Sequence, residues 1–234
     1  MSWIEFWNQD TSIYVSARHK ALHYRQVARD IAALIDSPDA VVLDYGSGEA
    51  TSADIVAARC AALDLCDAAP NTRLKMAEQF AGIANIRVLS TEDVQFGEDA
   101  HYDLIVANSL LQYLDEPTLD GLLDLWARRL KPGGRLILAD VIPPGVSPVT
   151  DALALLRFAF SGGFFMAAVL GLARTFFSDY RKLRGELGIS MHAESALLTR
   201  LRNRGFSARR MPDNIGHNPA RMTFEAIRPG EQGR

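Results

Sequence analysis

Cysteine is scarce in this chain of 234 residues, which has only Cys60 and Cys66. They are not spaced as Cys-x-x-Cys and no His or Cys cluster surrounds them. That excludes a disulfide-stapled scaffold and a zinc site, and reads as two buried thiols in a reducing compartment. Long apolar runs are missing too. The longest uncharged stretch, Phe158–Ala173, spans 16 residues and contains two adjacent glycines, short of the roughly 20 needed to span a bilayer. The start, Met-Ser-Trp-Ile-Glu, has no basic region and reaches an acid at residue 5, so no secretory signal is expected and the location reads as cytoplasmic. No cluster of Asp, Asn and Glu suits Mg²⁺, so no metal is expected. There is no internal repeat and no low-complexity tract. The formal charge of −3 is too small to mark a nucleic-acid binder, and no nucleic-acid partner is expected.

What remains is an ordinary globular composition, 48% hydrophobic and 23% charged, of a length that suits one domain with a sizeable insert. The charge is unevenly placed. Residues 1–120 hold 8 Lys and Arg against 19 Asp and Glu, and residues 121–234 hold 17 against 9. Two faces with different partners would give this split, and so would unevenly placed solvated charge.

Short apolar runs at Val41–Asp44, Ala61–Leu65, Ile86–Leu89, Leu104–Ala107 and Leu136–Ala139 fit strands buried on both faces of a parallel sheet. Helical segments lie among them at Tyr24–Ile35, Ser52–Ala58, Thr72–Phe80 and Thr118–Leu130. This alternation predicts a doubly wound α/β sheet. After Pro143-Pro144-Gly145 and Pro148 the alternation stops, and a long apolar helical region runs from Asp151 to about Leu187. A helix at Ala193–Arg204 and strands near Phe206–Met211 and Arg221–Ile227 complete the chain. The expected organisation is an N-terminal helical segment (1–40), a Rossmann-like core (41–142), a helical insert (143–192), and a last helix and two strands (193–234).

The chemistry begins at the end of the first strand. Asp44-Tyr45-Gly46-Ser47-Gly48 leads into a helix, where glycines let the backbone turn tightly and approach a ligand. Asp67 follows about 20 residues on, where a carboxylate accepts both hydroxyls of a ribose. Asp64, inside the apolar run, is a weaker rival for that role. The third glycine of a Gly-x-Gly-x-x-Gly turn is absent, with Thr51 in its place. Tyr102–Asn108 forms the fourth strand, and Leu130-Lys131-Pro132-Gly133-Gly134 turns into the fifth.

With these motifs, residues 41–140 resemble the class I S-adenosylmethionine-dependent methyltransferases, in particular the small-molecule branch that includes the ubiquinone and menaquinone methyltransferases. The resemblance implies a Rossmann-like seven-stranded sheet, mostly parallel with an antiparallel last strand, and a helical insert between strands five and six. It implies S-adenosyl-L-methionine as cofactor. Asp44, Gly46, Ser47 and Gly48 would lie against its methionine portion, Asp67 would hold the ribose, and Ala68 would line the adenine pocket. The segment Ser90-Thr91-Glu92 matches the position where the family often has an Asp for the adenine amine. Asn108 and Ser109 would pass under the sulfonium. Two alternatives share part of the signature: a nicotinamide-dependent oxidoreductase, and a module that binds the cofactor without turnover.

Since the cofactor carries its own activated methyl group, the protein needs chiefly to bind, align and desolvate, with a base for an oxygen or carbon nucleophile. The catalytic candidates at the carboxyl ends of the strands are Tyr113 (beside Gln112), Asp140 and His217 in the loop Asn214–Asn218. His217 also suits a turn residue. Tyr14 and Tyr24 are candidates for a lid over the cofactor. His19 and His23 stand four apart without an evident third metal ligand. Trp3, Phe6 and Trp7 form a helical stripe. The insert carries Phe158, Phe160, Phe164, Phe165, Phe176 and Phe177, with Arg181, Lys182 and Arg184 beyond. It is expected to lid the site of a small-molecule acceptor. A lipid-like acceptor with peripheral membrane contact, and a homodimer through the insert, are the further readings.

Overall fold

In the computed structural model, which describes residues 2–9, 14–175 and 188–230, seven strands form one sheet. They are β1 (Val41–Tyr45), β2 (Ala62–Cys66), β3 (Ile86–Leu89), β4 (Tyr102–Asn108), β5 (Leu130–Val141), β6 (Ser207–Arg210) and β7 (Met222–Ile227). The spatial order is β3-β2-β1-β4-β5-β7-β6. β1 to β5 pair in parallel, while β7 is antiparallel to both β5 and β6. The chain leaves β1 toward one edge and later returns to β1's other side as β4. That reversal opens a crevice at the carboxyl ends of β1 and β4, where ligands bind in open α/β sheets.

Nine described helices flank the sheet: α1 (Trp3–Trp7), α2 (Ala17–Ala32), α3 (Ala53–Ala57), α4 (Pro70–Phe80), α5 (Thr91–Gln95), α6 (Glu116–Arg129), α7 (Pro148–Gly162), α8 (Phe165–Thr175) and α9 (Glu194–Arg202). Apolar residues alternate to both sides of each central strand, so each face has a core. On one, Leu43, Ile105 and Leu138 meet Leu119, Leu123 and Trp126 of α6 and Leu201 of α9. On the other, Val42, Leu65 and Ile137 meet Ile31 of α2, Val56 of α3 and Met76 of α4. Burying such side chains stabilises the fold by about 1.5–3 kcal/mol each.

Several segments differ from the sequence expectation. α2 begins at Ala17 rather than Tyr24, because the Ser16 hydroxyl accepts from His19 N at 3.1 Å and caps it. β5 begins at Leu130, since Leu130 already pairs with Tyr102 ahead of a register shift. The expected continuous helical region breaks into α7 and α8 at Gly163, whose φ of 71° is left-handed. Phe158 and Phe164 then pack with Leu22 of α2 in a third small core. Phe176, Phe177, Arg181, Lys182 and Arg184 lie outside the described residues.

Two glycines in the first part of β5 serve the backbone. Gly133 has a φ of +80°, and a Cβ on Gly134 would sit 2.9 Å from the Lys131 carbonyl oxygen. Asp64 is structural as well. It is fully buried, receives Arg87 through two bonds of 2.8 and 2.7 Å, and accepts from the Tyr102 hydroxyl at 2.8 Å.

Candidate functional site

A cavity of about 2520 Å³ opens over the carboxyl ends of β1, β2, β4 and β5 and extends under α1, α2, α7 and α8. Its floor is the turn after β1. Gly46 and Gly48 have φ of +76° and +59°, and a Cβ on Gly48 would lie 2.9 Å from the Tyr24 hydroxyl oxygen. The turn is tied down from two sides. Gly46 N and Ser47 N both donate to the Cys66 carbonyl at 2.7 and 3.1 Å, and Glu49 N donates to the Tyr24 hydroxyl at 3.1 Å. Thr51, in place of a third glycine, is not among the residues with positive φ, whereas Ala50 before it takes a φ of 43°.

Asp67, just past β2, accepts from Gly48 N at 3.0 Å and Ala69 N at 2.8 Å. Burial pushes its carboxyl up, and these two N–H groups oppose that. A carboxylate offers about four lone-pair positions, so capacity for hydroxyl donors remains. Arg73 donates to the carbonyls of Asp67 and Ala68 at 2.8 and 3.0 Å and fixes the turn that carries them. Asp44 lines the same space. Burial first, and the charge of Asp67 second, push its pKa up to about 7. No described group donates a hydrogen bond to its carboxylate. Asn108 Oδ1 is likewise buried without a donor.

Tyr14, Tyr24, Asp44, Gly46, Ser47, Gly48, Asp67, Ala68, Thr91, Asn108 and Ser109 all line the cavity. Ser90 and Glu92 do not. The Ser90 hydroxyl caps α5, accepting from Asp93 N at 3.1 Å while Ser90 N donates to Asp93 at 2.8 Å, and Glu92 accepts from the Thr91 hydroxyl. Of the three, Thr91 alone lines the cavity. Above, α1 straps the opening. Asn71 N donates to Asn8 Oδ1 and Asn71 Nδ2 to the Asn8 carbonyl, both at 2.8 Å. The Trp3 ring lies 4.6 Å from that of Tyr113, and Trp7 lies 5.8 Å from it.

The far end gathers the catalytic candidates. Asp140, at the end of β5, accepts from the Ser109 hydroxyl at 2.7 Å, and its backbone N donates to Asn214 at 3.1 Å. Burial raises its pKa, opposed mainly by the positive charge of Arg221. His217 stacks on Phe158 at 4.5 Å, and burial lowers its pKa. With His19 and His23 it forms a triangle of rings 6.0–6.5 Å apart. Burial lowers His19 to about 4 and His23 to about 3, so these imidazoles are neutral near pH 7. No set of three His, Cys, Asp or Glu among the described residues could hold a metal ion. Sequence reasoning did not single out Arg73, Asp151 or Arg221. Each acts through a fold contact, and Arg221 reads in sequence only as the start of a strand.

The arrangement suits one kind of ligand. Asp44 and the Asn108 oxygen await donors, as a cationic amine supplies; Asp67 can accept a diol; and the glycine floor admits a ligand against the backbone. Residues 42–134 match the family model for a methyltransferase domain. No curated protein matches the chain. Among solved structures, magnesium protoporphyrin IX methyltransferase from Synechocystis PCC 6803, with bound S-adenosylhomocysteine, is 17% identical. It aligns over 96% of this chain and 92% of its own, with a TM-score of 0.59. Geranyl diphosphate C-methyltransferase from Streptomyces coelicolor A3(2), in complex with Mg²⁺, geranyl diphosphate and S-adenosyl-L-homocysteine, is 12% identical over 86% and 77% of the two chains, with a TM-score of 0.57.

Proposed function

We propose that the chain is a class I S-adenosylmethionine-dependent methyltransferase that methylates a small molecule with an apolar body, with Asp140 as the base. The nicotinamide alternative is set aside by the methyltransferase-domain match. The observation that carries the proposal is the size and lining of the cavity. About 2520 Å³ exceeds the roughly 300–1,000 Å³ of a single-ligand site. Beyond the glycine floor its walls are Leu153, Leu155 and Ala152 of α7, Leu170 of α8, and Trp3 and Trp7 of α1.

The cofactor supplies, when bound, a methyl group already activated on a sulfonium. Asp44, Gly46, Gly48 and Asp67 hold and orient it in this proposal, and Asn108 and Ser109 flank the reacting end. Asp140 takes the proton of an oxygen or carbon nucleophile. Burial raises its affinity for that proton toward the working pH, while the Ser109 hydroxyl steadies the charged form. The neutral His217, His19 and His23 and the Tyr113 ring exclude water around the acceptor.

The test is incorporation of radiolabelled methyl from S-adenosylmethionine into a cell extract split into aqueous and lipid fractions. Label in an extractable apolar product, lost in Asp140→Asn, is the expected result. Label confined to water-soluble products removes the apolar acceptor. Tight S-adenosylhomocysteine binding with no labelled product in either fraction favours the module that binds without turnover.

A further inference from the structure

Arg221 lies just before β7 and lines the acceptor end of the cavity, with 9% of its surface exposed. Asp151 of α7 grips it from one side. Arg221 Nε and Nη2 donate to the two oxygens of Asp151 at 3.3 and 2.8 Å, and Asn218 Nδ2 donates to the same carboxylate at 3.0 Å. Asp151 thus shares its charge between the guanidinium and Asn218, and meets Arg221 on the edge away from Nη1. Nη1 is buried and no group among the described residues accepts from it. Asp140 does not fill that role. It accepts from the hydroxyl of Ser109 and from Asn214 Nδ2 at 3.5 Å, and no ion pair joins it to Arg221 among the described residues.

A guanidinium presents five donors in a rigid fork, so the grip of Asp151 on Nε and Nη2 fixes where Nη1 points. A buried charged donor without an acceptor is costly, and an anionic oxygen is the partner that satisfies it best. Resting on the methyltransferase reading above, we propose that Arg221 recognises an anionic oxygen of the acceptor, a carboxylate or a phosphate ester. It would hold that end beside His217 and Asn218 while the apolar body lies along α7 and α8. The acceptor class becomes an amphiphilic acid rather than a neutral apolar molecule.

The test uses decanoate, decyl phosphate and decanol as probes, titrated calorimetrically into the full chain saturated with S-adenosylhomocysteine. One of the two anions should bind the wild type at least about tenfold more tightly than decanol, and which one does so identifies the oxyanion. Arg221→Met should abolish that preference while leaving S-adenosylhomocysteine affinity unchanged. Asp151→Asn, which removes the counter-charge and keeps the guanidinium, should increase it. Equal binding of all three probes, or a preference that survives Arg221→Met, overturns the proposal. If Arg221→Met does not fold, Asp151→Asn decides: an increased preference supports the proposal and an unchanged or reduced one overturns it. A wild type that fails to bind S-adenosylhomocysteine overturns the methyltransferase reading itself, and so the two failures are distinguishable.

Discussion

Ser109 donates its hydroxyl to Asp140 Oδ2 at 2.7 Å across the ends of two adjacent strands. Both residues hold a left-handed backbone, with φ of 55° and 56°. Left-handed backbone is uncommon for residues other than glycine, and two such residues bonded to each other mark a geometry that the surrounding fold imposes. Both residues line the cavity, at the carboxyl ends of two central strands.

Asp140→Asn keeps the shape of the site and removes the proton acceptor. Turnover should fall about 10²–10⁴-fold, the usual contribution of a general base. Ser109→Ala should lower it less, about tenfold, with the acid limb of the pH–rate profile moved to higher pH because the charged form loses a donor. Initial rates with labelled cofactor across pH check both. An Asp140→Asn enzyme of wild-type rate removes Asp140 from the chemistry.

The two acids around β2 should separate cleanly. Asp67→Ala should weaken S-adenosylhomocysteine binding about 10–100-fold, from the loss of charge-assisted hydrogen bonds contributing about 1.5–3 kcal/mol each. Asp64→Ala should instead destabilise the fold by about 1–3 kcal/mol, since it leaves the buried Tyr102 hydroxyl without its acceptor while the half-exposed Arg87 turns to water. Its folded fraction should bind the ligand normally. Urea denaturation and calorimetry on both variants make the comparison.

Cofactor affinity should depend on pH through Asp44. With its pKa raised to about 7, the carboxylate is ionised above that value and takes up a proton below it. If the ligand's cationic amine needs the ionised form, S-adenosylhomocysteine affinity holds above pH 7 and falls up to about tenfold per unit below it. Asp44→Asn should bind weakly at every pH and lose this slope.

Acid should loosen the histidine triangle. His19 and His23 titrate at about 4 and 3 in the folded chain, against about 6.5 when unfolded. The unfolded chain therefore takes up protons first, and stability present above pH 6.5 is lost as pH falls toward 4. We expect a loss on the order of 3 kcal/mol per histidine over that interval. His23→Gln should flatten the dependence. Denaturation midpoints between pH 7 and 4 report it, and a wild-type slope in His23→Gln would show that the burial of His23 is not its source.

The sequence was sufficient for the sheet and for half of the site. Buried strands read as Val-, Ile- and Leu-rich runs because both their faces are covered, and Leu119, Leu123 and Trp126 betray α6 by their spacing. Gly46, Gly48 and Asp67 were legible because a glycine turn and an acid one strand later are a local pattern with a local cause. The acceptor end had no such pattern. Asp140 and Ser109 stand 31 positions apart and meet only because β4 and β5 are neighbours. Arg221 and Asp151 stand 70 apart and meet where α7 comes down on the loop before β7. Ser90 stands where the family often has an acid, and three-residue geometry makes it a helix cap. Local steric and hydrophobic rules act through nearby residues, and these the amino-acid order states outright. Pairing between side chains from distant strands depends on sheet order and on where the connecting helices pack, and tertiary structure alone decides that.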